Sequence, residues 1–330
     1  MNVLITGGAG FIGSHLAERC LAEGWRVSIL DDLSTGAMEN IAHLKTRPGF
    51  SYRIGSILDE PLVAEMVDCA DTVFHLAAAV GVKLIMENPV RIFDTNVHGT
   101  EMVLRSAAKK GKPVMLASTS EVYGKSTRPQ FREDDDLKRG STQVGRWDYA
   151  SSKELDERMA LSYWRQYALP VTVMRFFNTV GPRQLDRYGM VLPTFVRQAL
   201  RGEPLTIHAN GEQCRCFSYV GDVAEAVVRL AQTPESIGQV VNIGNDYEVS
   251  MNQLARLVKE ITGSSSEFVY IPYAQAYGPG FEDMARRVPC LEKLERLVHY
   301  RPTTSLEAII RRVVDYEWVR MPKHALAASA

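Results

Sequence analysis

Along the first half of the chain, short runs of apolar and β-branched residues alternate with segments whose apolar positions recur every three or four residues. Val3-Leu4-Ile5 predicts a strand, and Ile12 to Glu23 predicts a helix. Arg26 to Leu30 and Tyr52-Arg53-Ile54 predict a second and a third strand, and Thr72 to Leu76 a fourth. A long helix is expected from about Val90 to Lys109, then a strand over Pro113 to Ala117. A helix over Trp147 to Tyr167 and a sixth strand over Val171 to Phe176 follow. Strands alternating with helices imply right-handed crossovers and a parallel sheet covered on both faces. The predicted class is α/β, a doubly wound parallel sheet of the Rossmann type.

After Asn178 the rhythm changes. Gly181-Pro182 and Tyr188-Gly189 mark loops, Val191 to Leu200 predicts a helix, and Leu205-Thr206-Ile207 a short strand. Ser250 and Gln253 have the spacing of a capping box that opens another helix. Shorter elements and more loop predict a smaller, mixed C-terminal lobe over the C-terminal edge of the sheet. Residues 125–146 are polar, with Asp134-Asp135-Asp136, and read as a surface loop with a solvated acidic face. The tail from Met321 to Ala330 is expected to fray.

Composition narrows the class. The 330 residues are 45% apolar and 23% charged, as in an ordinary globular chain able to bury a sizeable core. Lys and Arg number 38 and Asp and Glu 39, a net charge of -1. No global field then favours nucleic acid as the main partner, although local arginines can still serve small anions. No apolar run reaches a membrane span, and no leader pattern opens the chain, so no membrane partner is expected. With five cysteines (Cys20, Cys69, Cys214, Cys216 and Cys290), this predicts reduced thiols and a cytoplasmic location. Cys214-x-Cys216 lacks the usual zinc spacing, so no metal is expected.

Thr6-Gly7-Gly8-Ala9-Gly10-Phe11-Ile12-Gly13 follows the first strand and opens a helix. Glycines there allow a tight turn and let a pyrophosphate approach the helix N-terminus, where unpaired N–H groups favour anions. Asp31 ends the second strand, where a carboxylate accepts from adenosine ribose hydroxyls and repels a 2′-phosphate. No arginine immediately follows it, so NAD is expected rather than NADP.

Tyr149-Ala-Ser-Ser-Lys153 lies in a helical pattern, and a spacing of four puts both side chains on one face. A free tyrosine, with a pKa of ~10, is a poor base at neutral pH. Lowering it by ~3 units needs ~4 kcal/mol, and a lysine ammonium at ~4 Å would supply about that at an effective dielectric of about 20. Ala117-Ser118-Thr119-Ser120-Glu121-Val122-Tyr123-Gly124 ends the fifth strand, at the sheet edge that faces the ligand crevice.

With these motifs the chain resembles the extended short-chain dehydrogenase/reductases, in particular their nucleotide-sugar epimerase, dehydratase and decarboxylase group. The resemblance extends through Asp31-Asp32, His75-Leu76-Ala77-Ala78, Asn96, Arg175-Phe-Phe-Asn178, Gly181-Pro182-Arg183, Gly202-Glu-Pro-Leu-Thr206 and Gly211-x-x-x-Arg215. It implies that Tyr149 is the base, that Lys153 holds the nicotinamide ribose, and that Thr119 bonds the sugar 4-hydroxyl. Gly7, Gly10, Phe11, Ile12, Gly13, Asp31, Ser34, Leu76 and Ala77 would line the NAD site. Asn178 and Arg215 would contact the diphosphate, and Ser120 the substrate. Residues 1–177 with 218–243 would bind NAD, and 178–217 with 244–330 the nucleotide sugar. Homodimers would form through the helices near 90–109 and 147–167.

Enzymes of this group share one first step, in which the base takes the C4 hydroxyl proton and NAD takes the C4 hydride. The 4-keto sugar can then be epimerised, dehydrated across C5 and C6, or, with a carboxylate at C6, decarboxylated. Thr119-Ser120-Glu121 is similar to the motif of UDP-glucuronate decarboxylases (UDP-xylose synthases). Their late Arg-x-Pro element is matched by Arg287-Val288-Pro289, whose arginine would face C5 and C6. The expected reaction is decarboxylation of UDP-glucuronate to UDP-xylose. The alternatives are a UDP-uronate or UDP-hexose 4-epimerase, a 4,6-dehydratase and a catalytically silent NAD-binding regulatory protein. Ser56, Cys290 and the loop Ala79-Val80-Gly81-Val82-Lys83 depart from the pattern. His75 is expected to be packed or hydrogen-bonded beside the cofactor. His208, Arg183, Arg187 and Arg197 suit surface roles as well as ligand contact.

Overall fold

A computed structural model describes residues 1–81, 88–185, 190–277, 283–284 and 286–321. Among these, seven strands build one parallel sheet: β1 (Asn2–Thr6), β2 (Arg26–Asp31), β3 (Phe50–Ile54), β4 (Thr72–His75), β5 (Val114–Thr119), β6 (Val171–Phe176) and β11 (Val240–Ile243). Their order is β11-β6-β5-β4-β1-β2-β3. Successive side chains of a strand leave opposite faces. Val3 and Ile5 therefore join a core with Leu16 and Cys20 of α1 (Phe11–Ala22) and Val223 and Val227 of a later helix, Val220–Ala231. Leu4 joins the other core, with Val63 and Val67 of α2 (Glu60–Asp68), Val103 and Leu104 of α3 (Gly99–Lys110) and Ala160 of α4 (Asp148–Tyr167). The order reverses beside β1, and a ligand crevice opens beyond the carboxyl ends of the strands there.

The remaining strands form small sheets. β7 (Thr179–Val180) pairs with β10 (Ser218–Tyr219), and β8 (Leu205–His208) with β13 (Phe268–Ile271). β9 (Cys214–Cys216) lies between β12 (Glu248–Ser250) and β14 (Arg286–Arg287). A separate core joins Phe195 and Val196 of α5 (Val191–Leu200) with Leu254 and Val258 of Met251–Thr262 and Ile309 and Ile310 of Leu306–Arg320. The capping box forms: Gln253 N donates to Ser250 Oγ, and Ser250 N donates to Gln253 Oε1.

Two expectations are corrected. In place of one helix from Val90 to Lys109, a turn of α-helix at Pro89–Ile92 passes into a π-helical stretch, Phe93–His98, before α3. Asn96 anchors the widened turn from outside its own helix. Its Oδ1 accepts from Ala79 N at 2.8 Å, and its Nδ2 donates to Ser152 Oγ at 3.0 Å. Residues 125–146 are not uniformly a surface loop. Phe131 is buried against Tyr123 and Phe177, and its backbone bonds Val288 and Cys290. Arg146 is only 2% exposed. The average polarity of the run hides these two residues, whose partners lie elsewhere in the chain. The tail beyond Met321, Arg187, Tyr188-Gly189 and the Val82-Lys83 end of the Ala79–Lys83 loop lie outside the described residues. No helix among the described residues is long and apolar enough to cross a membrane.

Candidate active site

A cleft of about 730 Å³ runs along the carboxyl ends of the strands. Gly7, at φ +71°, turns the chain out of β1. A Cβ there would stand 2.7 Å from the backbone nitrogen of Ala77, so the loop and the end of β4 approach closely only with glycine. Gly10 caps α1 without a side-chain hydrogen bond, and the first turn of α1 carries no acid. The helix thus presents free N–H groups and its positive end to the cleft, as a pyrophosphate requires. Phe11, Ile12, Gly13, Ser34, Leu76 and Ala77 line the same end. Asp31 accepts from Ala9 N at 2.9 Å through Oδ2 and from Leu33 N at 2.8 Å through Oδ1. Burial raises its pKa, while backbone bonds from Leu33, Ala9 and Gly10 oppose the rise, and the carboxylate keeps acceptor capacity for a ribose hydroxyl. These residues fit a dinucleotide.

His75 is buried between Thr6 Oγ1 at 2.7 Å and Thr100 Oγ1 at 3.0 Å. Burial, with Lys153 nearby, pushes its pKa down to about 3. The ring is therefore neutral and packs behind the cleft. Arg197 pairs with Glu317, and Arg183, which lines the cleft, bonds Ser14 Oγ and Glu18. Ser56 also lines the cleft, while Cys290 is buried away from it.

Thr119 ends β5, and Ser120 and Glu121 open the 3-10 turn that follows. Tyr149 and Lys153 project from the first turns of α4 into the same space. The expected lowering of Tyr149 by Lys153 is corrected. Lys153 Nζ is bound to Asp156 Oδ2 at 2.7 Å, which spends its charge on a carboxylate. Burial first, and then Glu121, push the Tyr149 phenol up, against smaller opposing effects of a Thr119 hydrogen bond and Arg146. These surroundings favour the protonated phenol, and positive charge beside it would favour its action as a base.

Glu121 accepts from Arg146 Nη1 at 2.5 Å, and its other oxygen faces Arg287 Nη1 at 3.4 Å. Burial would raise this carboxyl, but the two arginines outweigh it and hold it below the usual range. Arg287 is pushed down to about 10 by burial and by Arg215, and among the described residues its Nε has no hydrogen-bond partner. Asp283 closes the knot, 2.8 Å from Arg215 Nη2 and 3.7 Å from Arg146 Nη2. Asn178 lines the cleft with its amide on Cys216 O, and Arg215 Nη1 also bonds Cys214 O. His208 lines the cleft against Tyr277.

Three members of this site escape the sequence reading. Arg146 sits in the polar run taken for a surface loop, and its signal is its place three residues before Tyr149. Asp283 lies four before Arg287 with no motif of its own. Asp156 follows Lys153 by one helical turn and looks like one more acid on a charged helix.

Residues 3–244 match the model of the NAD dependent epimerase/dehydratase family. The chain is 42% identical, over 96% of its length and 97% of the relative's, to a UDP-N-acetyl-alpha-D-glucosaminuronate decarboxylase of Bacillus cytotoxicus. It is 36% identical to UDP-glucuronic acid decarboxylase 1 of Xenopus tropicalis, over 96% of this chain and 72% of that one. Among solved structures, a UDP-glucuronic acid 4-epimerase of Bacillus cereus, in complex with UDP-glucuronic acid and NAD, superposes with a TM-score of 0.88. It is 28% identical over 97% of this chain and 100% of that one. NAD is thus the cofactor of an enzyme fold whose glycine loop, helix end and Asp31 fit it, and the chain belongs to the NAD dependent epimerase/dehydratase family.

Proposed function

We propose that the protein decarboxylates a UDP-linked uronic acid, UDP-glucuronate to UDP-xylose, through a 4-keto intermediate. The observation that carries this reading is the meeting of Glu121 and Arg287, 166 residues apart in sequence, in the cleft that Tyr149 also lines. A plain 4-epimerase has no need of a carboxylate and a guanidinium there. The names of the Bacillus cytotoxicus and Xenopus tropicalis relatives support the same reaction class.

Tyr149 accepts the proton of the C4 hydroxyl, and Thr119 holds the oxygen. Gly7, Gly10 and Asp31 would hold NAD, which when bound would supply reversible hydride transfer at C4. With a ketone at C4, the C6 carboxylate belongs to a β-keto acid. The C5–C6 bond breaks, its electron pair forms the enolate, and carbon dioxide leaves. Thr119 and Tyr149 donate hydrogen bonds to the enolate oxygen. Glu121 opposes strong binding of the departing charge, since ground-state stabilisation gives no rate. Arg287 fixes the pose of the ring, a water ordered by Glu121 gives C5 a proton in place of carbon dioxide and is re-protonated from solvent, and Tyr149 returns its proton to the C4 oxygen. Asn178 and Arg215 hold the diphosphate. Residues 1–177 with 218–243 act as the NAD-binding part, and 178–217 with 244–330 as the sugar-nucleotide part. A homodimer through α4 and the segment from Pro89 to Lys110 would cover Val90, Phe93, Leu155, Trp164 and Tyr167, which are exposed here.

A second substrate reading, a uronate with an acetamido group at C2, is favoured by the name of the relative at 42% identity. The chemistry at C4 to C6 is unchanged. Incubation with UDP-glucuronate, its 2-acetamido counterpart and UDP-glucose, with products read by mass spectrometry, tests both. Loss of carbon dioxide supports decarboxylation, and the faster uronate names the substrate. An isomer of unchanged mass, or loss of water, would overturn it in favour of epimerase or dehydratase.

A further inference from the structure

Lys153 and Asp156 form an ion pair closed off from water, with residue exposures of 2% and 0%. Desolvating such a pair costs about what the attraction returns, so stability alone is a poor reason for the carboxylate. The family resemblance gives Lys153 the nicotinamide ribose, and nothing in the proposed reaction gives Asp156 a role. Tyr149, Lys153 and Asp156 lie at successive turns of α4, at spacings of four and three residues that keep them on one face. Lys153 therefore has the phenol on one side and the carboxylate on the other, and its ammonium is on the carboxylate.

We propose that Asp156 is a positioning residue that anchors the ammonium of Lys153 and cancels its charge in the neighbourhood of Tyr149. The inference rests on the reading of Tyr149 as base and Lys153 as its partner. The groups around the phenol are Thr119, Glu121 and Arg146 besides Asp156, and both carboxylates raise it. Those around Asp156 are Lys153, Thr100 and Glu157; burial raises its own pKa, while Lys153 and Thr100 oppose the rise. Thr100 in turn bonds His75, which bonds Thr6. Asp156 thus ties the catalytic lysine to the end of β1, where the glycine loop begins. Asp156 Oδ2 accepts from Lys153 Nζ at 2.7 Å and the carboxylate also bonds Thr100, so the ammonium is held on a carboxylate that is itself fixed. The device keeps the phenol protonated until ligands bring positive charge beside it.

Removing the charge of Asp156 while keeping its shape lets the ammonium act on Tyr149. Seven residues of helix separate the two by about 10 Å. One charge at that distance is worth about one pH unit at an effective dielectric of about 20. The test is the tyrosinate absorbance of the NAD-loaded protein, titrated with Tyr149→Phe as the blank so that only Tyr149 is read. Asp156→Asn is expected to lower the midpoint by about one pH unit, and Asp156→Glu to leave it in place. Should the amide not fold, Asp156→Ser is the smaller neutral substitute with the same expectation. An unmoved midpoint in the neutral variants, with or without slower turnover, assigns Asp156 to packing and overturns the inference. Full turnover by Tyr149→Phe would instead overturn the underlying assignment of the base, which the titration does not touch.

Discussion

Arg287 lies opposite Arg215 in the parallel pairing of β14 with β9. Two guanidiniums side by side repel, and the arrangement persists because Glu121 and Asp283 stand between them and Arg146. The pairing joins an element read as a diphosphate contact to one read as facing C5 and C6. Under the proposed function, one small sheet would set the distance between the diphosphate contact and the sugar contact.

Arg146 is the most deeply committed member of this knot. Arg146→Met leaves Glu121 buried with only the longer contact to Arg287. Breaking a buried pair by removing one partner costs about 3–5 kcal/mol. Urea unfolding should show a loss of that order, larger than for an exposed pair such as Arg132 with Glu292. A loss below about 1 kcal/mol would mean that the Arg146–Glu121 contact is not the strut described.

Tyr149→Phe keeps the ring and removes the acid–base group. NAD and UDP-sugar binding, measured by calorimetry, should survive, and turnover should fall by roughly 10²–10⁴-fold, the usual worth of a positioned acid–base group. Near-normal turnover would remove Tyr149 from the mechanism.

Much of this was legible in the chain because the signals are local. The glycine loop, Asp31 and the spacing of Tyr149 and Lys153 each lie within a few residues of a strand end or one helix face, and the alternation of elements dictates which sheet edge they share. The knot around Glu121 is a product of long-range pairing. Arg146 meets Glu121 across 25 residues and Arg287 meets it across 166, and no local periodicity encodes either. The direction of the Tyr149 shift was missed for a related reason. Spacing puts Lys153 beside the phenol, but only packing reveals that Asp156 takes its ammonium. The π-helical stretch at Phe93–His98 has no local signature, and its Asn96 bonds Ala79 and Ser152, which lie far from it in sequence.

Asp31→Ala removes the acceptor for the ribose hydroxyls and the charge that repels a 2′-phosphate. It also frees Ala9 N and Leu33 N, so the loop itself loosens. Fluorescence titration should show weaker NAD binding and a narrower margin over NADP. A preference for NADP in the unaltered protein would contradict this role for Asp31.

Departure of carbon dioxide from C6 of a UDP-uronate can be followed with UDP-glucuronate carrying an isotopic carbon label at C6. The label is expected to appear as bicarbonate, followed by carbon magnetic resonance, while an unlabelled UDP-pentose accumulates. Label retained at C6 of a UDP-galacturonate would contradict it and make the protein a 4-epimerase.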